Sequence, residues 1–317
     1  MTRFAPSASA SLADIEEVED VEVVHAVAPG ASIRVLLIRT PGVLFAKAVA
    51  LLGYATSGAD VISLSIGEPE HCFPSSQLAT LHAVLEEAAS RHVTVVASSG
   101  DTGPVPGVCS SRSEASSEGV AFPASEPLVL GVGGTHLRAS PKTGAYIGET
   151  VWGDAEYGEA SGGGFSELFA RPGYQDGVPG IGPHRGVPDV AADADSDGGL
   201  ALLSYSGDFA TIVGAQGTSA GAPFWAGVIA IADQYAGRDL GFVNPAIYRI
   251  ARSAQYHAAF HDITKGTTTV NLSGPVTGYR AGPGWDPATG WGTPKVSALV
   301  PLLARYARAA PATAGDG

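Results

Sequence analysis

Residues 61–103 read VISLSIGEPEHCFPSSQLATLHAVLEEAASRHVTVVASSGDTG. Two short runs rich in β-branched residues, Val61 to Ile66 and Val93 to Ser98, flank a helical pattern from Gln77 to His92. Apolar runs of this length, without strict alternation, fit strands buried on both faces of a parallel sheet. Working outward, Ile33 to Ile38 (IRVLLI) and Leu128 to Val132 (LVLGV) are further strand candidates, and Val43 to Ser57 is a second helix. Strands alternating with helices predict an α/β fold on a central, mostly parallel sheet. Roughly Gly144 to Asp208 is rich in Gly, Asp and Ser and reads as loops with short hairpins, among them Ser161-Gly-Gly-Gly164 and Asp193-Ala-Asp-Ser-Asp-Gly198. Helical patterns return at Ser219 to Tyr235 and from Lys295 to Ala307. Neither a repeat nor a linker interrupts this course. The expected organisation is a tail over residues 1–10, one domain over 11–308 and a small polar tail over 309–317.

Composition narrows the functional classes. Gly accounts for 42 of 317 residues and Pro for 22, above the usual ~7% and ~5%. With 45% hydrophobic residues and no G-X-Y period, the chain is neither collagenous nor disordered. Charged residues make up only 15%, and 31 acids against 18 bases leave a net charge of −13. Such a surface repels nucleic acid and anionic membranes and suits acidic surroundings, where protonation relieves the self-repulsion. The longest apolar candidate, Val43 to Tyr54, is interrupted by Lys47 and falls short of the ~18 residues that span a bilayer. The first ten residues show no signal-peptide core. None of the eight histidines falls in a His-Gly-Thr or H-E-x-x-H setting or at zinc spacing, which argues against a zinc enzyme. Cys72 and Cys109 allow one bridge or two buried thiols; both sit in loops after strands, and the reading leans to a disulfide.

Four residues could carry chemistry. In Gly217-Thr-Ser219-Ala-Gly-Ala-Pro223 a serine stands just before a helix of small residues, where backbone N–H groups and the helix dipole favour developing negative charge. Taken alone, Ser219 reads as readily as an N-cap. A nucleophilic serine also needs a base. A helix from Ser11 to Val27, with Ser11 and Asp14 as its capping box, offers one. Along it Leu12, Glu16, Asp20, Val23 and Val27 share a stripe that is otherwise apolar. Carboxylates in such a place are costly unless paired or protonated, and burial next to a second carboxylate raises their pKa. Asp14, Glu17, Glu19 and Glu22 make the segment acidic all round, so on its own a solvated face is the stronger reading. Asp101 ends a buried strand, where ligands gather in open parallel sheets, although an ordinary turn would use the same residue. Its Asp-Thr-Gly is also found in aspartic proteases, but no second copy is present. Near the C-terminus, Asp262 and Asp286 sit in Gly-rich loops that could supply Ca²⁺ with oxygen ligands, or could be Asx turns.

In chain order these segments resemble the sedolisin family of serine-carboxyl peptidases. The resemblance runs from about Glu16 to Pro301. It rests on Glu16-x-x-x-Asp20-Val-Glu22 with Ala26-Val-Ala-Pro-Gly-Ala31, on Val61 to Gly67, and on Ala97-Ser-Ser-Gly-Asp101-Thr-Gly103. Phe122-Pro-Ala-Ser125, Val132-Gly-Gly-Thr135, Gly162-Gly-Gly-Phe-Ser166, Gly186-Val-Pro-Asp-Val190 and Gly217-Thr-Ser219 follow, and then the two Asp loops. The resemblance implies a subtilisin-like three-layer fold, with Ser219 as nucleophile and Glu16 as general base hydrogen-bonded to Asp20. It makes a protonated Asp101 the oxyanion donor. It also implies one structural Ca²⁺ held by the Asp262 and Asp286 side chains and the carbonyls of Ile263, Gly282 and Gly284. Protein or peptide substrates, secretion and a propeptide supplied upstream are expected on the same ground, and a monomer by default. Only fifteen residues precede Glu16, so the expectation is a domain truncated at its N-terminus, lacking the family's first strand. Two alternatives are an ordinary subtilisin, disfavoured by the missing His-Gly-Thr, and an inactive remnant serving as a Ca²⁺-binding or interaction module.

Overall fold

The computed structural model describes residues 12–36, 58–109, 118–198, 201–206 and 209–307. Helix α1 (Leu12–Val27) opens the described chain. Next come β1 (Val61–Leu64), α2 (Ser75–Ser90), β2 (Thr94–Ser98), β3 (Leu130–Ala139) and β4 (Tyr146–Val151). Strands β5 (Gly164–Ala170) and β6 (His184–Val187) form a hairpin, followed by β7 (Val190–Asp193) and by the paired β8 (Ala201–Ser206) and β9 (Phe209–Gly214). Helices α3 (Gly221–Ala236), α4 (Asn244–Ala251), α5 (Tyr256–Ala259) and α6 (Val296–Tyr306) complete the order. In the central sheet β1, β2, β3 and β7 run parallel in that order, and β4 joins the long β3 antiparallel. No described helix is long and apolar enough to cross a membrane.

Alternation along the strands makes the three layers. In β2, Val96 faces a core built on Trp225, Val228 and Ile229 of α3, whereas Val95 and Ala97 face Leu81, Leu85 and Ala88 of α2. Period-two side-chain placement on a doubly covered sheet produces this split. Trp225 also donates from Nε1 to the Ala191 carbonyl at 2.9 Å, so α3 is tied to β7 as well as packed on it.

The structure corrects several expectations. Ile33 to Leu36 form no strand; Ile33 and Val35 are each 38% exposed, and the segment pairs with nothing among the described residues. The segment expected to be loops with short hairpins supplies β4 to β8; β5 and β6 do pair as a hairpin, but β7 is a parallel member of the main sheet. The Ser161-Gly-Gly-Gly164 stretch is not a hairpin turn but an extended approach to β5. The expected helix at Val43 to Ser57 and the Ser11 cap lie outside the described residues. Cys72 and Cys109 are joined by a disulfide.

Candidate active site

The turn before α3 presents Ser219. The helix begins at Gly221 with Ala220 at its N-cap, and no side chain caps it. The hydroxyl of Ser219 therefore has no capping duty, and the structure sets that simpler reading aside. Gly217 in the same turn has φ of +119°, and a Cβ there would lie 3.0 Å from Asp101 Oδ2. Only glycine meets both demands. Through this turn the loops after β2 and before α3 interlock. Asp101 Oδ1 accepts from the Thr218 N–H and the Thr218 hydroxyl, both at 2.7 Å, and the Gly100 N–H donates to Thr218 Oγ1 at 3.1 Å. The second carboxyl oxygen of Asp101, Oδ2, is the one that lies against Gly217.

Helix α1 delivers the acids. It lies close against α3 because Gly227 has no side chain; a Cβ there would come within 2.8 Å of the Val27 Cβ. The Ser219 side chain lies against the Glu16 carboxyl, close enough to lower its pKa. Ser65, just past β1, donates to Asp20 Oδ1 at 2.6 Å and also to the Ser219 carbonyl at 3.1 Å, so one hydroxyl ties the acid helix to the nucleophile turn. The structure thus gathers Ser219, Glu16, Asp20 and Asp101, which come from three distant segments. They meet at the carboxyl ends of β1 and β2, the expected position in an open parallel sheet. The cleft beside them has a volume of about 360 Å³, and its lining includes Ile66, Glu68 and Pro106 but no histidine. The disulfide at Cys109 braces the Pro106 side of this wall.

Every acid in the group resists ionisation. Burial raises the Glu16 carboxyl; the Ser219 side chain lowers it, and the Asp101 charge raises it again. Asp20 is pushed up to about 7, by burial first, against the lowering effect of Ser65. Burial raises Asp101 too, and its two bonds from Thr218 pull the other way. No cation answers these charges: none of the ion pairs among the described residues includes them. One member escaped the sequence reading. Glu19 was assigned to the solvated acidic face, yet it is only 3% exposed and its Oε1 is buried without a hydrogen-bond partner. The spacing 16, 19, 20, 23, 27 is the signal that could have placed it on the buried stripe.

The two Asp loops also meet. The Gly284 N–H donates to Asp262 at 3.1 and 3.3 Å, and the Gly282 N–H donates to Asp286 Oδ2 at 3.0 Å. Burial pushes Asp286 up to about 6, and neither carboxylate has an ion-pair partner among the described residues. The carbonyls of Ile263, Gly282 and Gly284 carry no hydrogen bond among the described residues. Two carboxylates with three free carbonyls form a hard-oxygen donor set that fits Ca²⁺ chemistry.

Comparisons with known proteins agree with this geometry. The family model described as the subtilase family matches residues 8–292. Kumamolisin of Bacillus sp. (strain MN-32) is 36% identical over 299 residues, covering 92% of this chain and 51% of kumamolisin. Human tripeptidyl-peptidase 1 is 32% identical over 308 residues, covering 89% of this chain and 51% of its own. The chain thus spans about half the length of the curated relatives it matches. Among solved structures, Pseudomonas sedolisin, a serine-carboxyl proteinase complexed with two molecules of pseudo-iodotyrostatin, superposes with a TM-score of 0.80. It is 28% identical, with 94% of this chain and 81% of that one covered.

Proposed function

Since the chain belongs to the subtilase family, and within it to the sedolisins, we propose that it is a serine-carboxyl peptidase cleaving polypeptides in acid through an acyl-enzyme on Ser219. The observation that carries this reading is the placement of the Ser219 side chain against a half-buried carboxyl, Glu16, whose pKa it pulls down, beside a cleft whose lining holds no histidine. In the reaction Ser219 Oγ attacks the scissile carbonyl as Glu16 takes its proton, and Glu16 then returns that proton to the leaving amine. Water, activated by Glu16 in turn, hydrolyses the ester. Asp20 is held by Ser65 and carries a proton; Glu16 Oε1 is buried without a hydrogen-bond partner, and a turn of the Asp20 carboxyl would let that proton reach it. Asp101 has Oδ1 committed to Thr218, so Oδ2 is the atom that would hold a proton and donate it as a hydrogen bond to the tetrahedral oxyanion.

The pH limits follow from these roles. Glu16 must be ionised, so activity falls below its pKa; Asp101 must be protonated, so activity falls above its own. Because both are carboxyls, the window lies in acid. Asp262 and Asp286 with the carbonyls of Ile263, Gly282 and Gly284 would hold one structural Ca²⁺, which supplies the positive charge those loops lack. A secreted, monomeric enzyme whose folding is assisted by a propeptide completes the reading.

The test is digestion of a denatured protein from pH 3 to 8 with Ca²⁺, comparing the chain with Ser219→Ala. Cleavage should peak in acid and fall by about 10³-fold or more in the variant. A neutral optimum would return the assignment to an ordinary subtilisin. A cooperatively melting protein that cleaves nothing would point to an inactive module.

A further inference from the structure

Glu19 is the one buried acid of α1 to which the proposed reaction gives no role. It is 3% exposed, its Oε1 meets no hydrogen-bond partner, and its electrostatic neighbours are Glu16, Asp20 and Asp101. All three are carboxyls. Helix α3, packed against α1, carries a single charged residue, Asp233, at its far end, where its charged neighbours are Asp60, Asp239 and Arg238. The β8–β9 pair, whose first strand also lies against α1, contains no carboxylate and no cation in either strand. Among the described residues no ion pair reaches this acid, and a proton is what makes its burial tolerable there.

We propose that Glu19 is a third carboxyl of the α1 acid group, a positioning residue that allows α1 to sit against α3 only while it is protonated and thereby adds a further alkaline limit beyond the one the Asp101 proton sets. When its proton leaves to solvent, a third negative charge appears beside Glu16 and Asp20 with no partner for it. Either α1 lifts from α3 and draws Glu16 away from Ser219, or Glu16 takes up a proton; both disable the base. Burial first, and then the charges of Glu16, Asp20 and Asp101, push the Glu19 carboxyl up to about 8. Since that lies above its ordinary value, the stability it contributes is fully present below about 4.5 and is lost as the pH rises through 8. The effect on catalysis rests on the serine-carboxyl reading, whereas the effect on stability does not.

The experiment has two arms, both on the full chain. In the first, thermal melting is followed from pH 4 to 9 in a Ser219→Ala background, with and without Glu19→Gln, the isostere of the protonated acid. The fall in Tm between pH 5 and 8 should shrink by about a third or more, because Asp20 and Asp233 titrate in the same range. In the second arm, with Ser219 intact, the ratio of cleavage rate at pH 9 to that at pH 5 should rise about tenfold in Glu19→Gln, because one unit above 8 only about a tenth of Glu19 keeps its proton. Glu19→Leu, apolar and of similar size, serves in both arms if the Gln variant does not fold. A residue that merely fills space would change Tm equally at every pH. An unchanged Tm–pH slope together with an unchanged rate ratio overturns the assignment of Glu19. A flattened slope in a chain that cleaves nothing supports Glu19 and overturns the peptidase reading instead.

Discussion

Two regions of this molecule bury carboxyl groups, and they neutralise them differently. Asp189 is fully buried against the equally buried Arg185, whose Nη1 and Nη2 donate to its two oxygens at 2.8 and 2.6 Å. Tyr248 O–H and the Gly131 N–H add bonds at 2.9 and 2.8 Å. Burial would lower the Arg185 pKa, but the Asp189 charge, Tyr174, Tyr248 and the hydrogen bonds to Asp189 together more than offset it. Glu16, Glu19, Asp20 and Asp101 have no such cation among the described residues; hydroxyls, backbone N–H groups and protons are what they have there. A guanidinium is charged at every accessible pH, so the Arg185 cluster holds β3, β6 and α4 together regardless of acidity. A proton comes and goes. The comparison teaches that the fold spends its permanent counter-charge on structure and leaves the acid group able to exchange protons, as the proposed general base requires.

The largest effect should come from breaking the permanent pair. Asp189→Ala strands the Arg185 guanidinium in the core, where an unpaired charge costs about 3–5 kcal/mol. Urea unfolding of the Ser219→Ala chain should show that loss at pH 4 and at pH 7 alike. A loss confined to one pH would mean that Asp189 is itself neutralised by a proton, and the contrast between the two regions would collapse.

A third region adds a third kind of neutraliser. If Asp262 and Asp286 hold Ca²⁺, chelation removes about 2.7 kcal/mol of stability from a chain bathed in a hundredfold excess over Kd. Calorimetry with and without a chelator at pH 6 measures it, and an Asp286→Asn chain should lose most of the difference. Equal melting with and without the chelator would remove the ion from the account and leave Asp286 as a carboxyl neutralised by its own proton.

How much of this was visible beforehand differs by region. The sheet core was legible because β1, β2 and the start of β3 are β-branched runs that suit burial on both faces. Strand β7 was not, since Val190-Ala-Ala-Asp193 is short, small-sided and embedded in a Gly- and Asp-rich stretch; only pairing with β3 makes it a strand. The reverse error befell Ile33 to Leu36, apolar enough for a strand yet unpaired among the described residues. Composition reports a preference for burial, not a partner. In the site, Ser219, Glu16, Asp20 and Asp101 could be named because their order along the chain is distinctive. Glu19 could not be separated from Glu17 and Glu22 by charge. Its burial depends on how α1 rolls against α3, which the Gly227–Val27 approach fixes. The Arg185 network draws Gln175 from one segment and Asn244 and Tyr248 from α4, and no local pattern announces such a meeting.

The smallest expected effect tests whether an unpaired buried carboxyl behaves in the same way away from the cleft. Asp233, near the C-terminal end of α3, is 7% exposed; Oδ1 accepts from the Leu240 N–H at 2.8 Å, and Oδ2 is buried without a partner. Burial first, with Asp239 and Asp60 adding to it and Arg238 opposing, pushes its carboxyl up to about 7. A negative charge at a helix C-terminus is also unfavourable to the helix dipole. The sign follows from the raised value: the stability Asp233 contributes is complete below about 4 and drains away as the pH rises through 7. Asp233→Asn keeps an acceptor for Leu240 and has no proton to lose. In urea unfolding of the Ser219→Ala chain, it should match the parent at pH 4 and exceed it by about 1–2 kcal/mol at pH 8, a figure reduced for water reaching the helix end. Equal stability at both pH values would show that a buried carboxyl can stay ionised here without a cation. The pH sensitivity of the acid group would then have to come from the closeness of its members to one another rather than from the absence of an arginine.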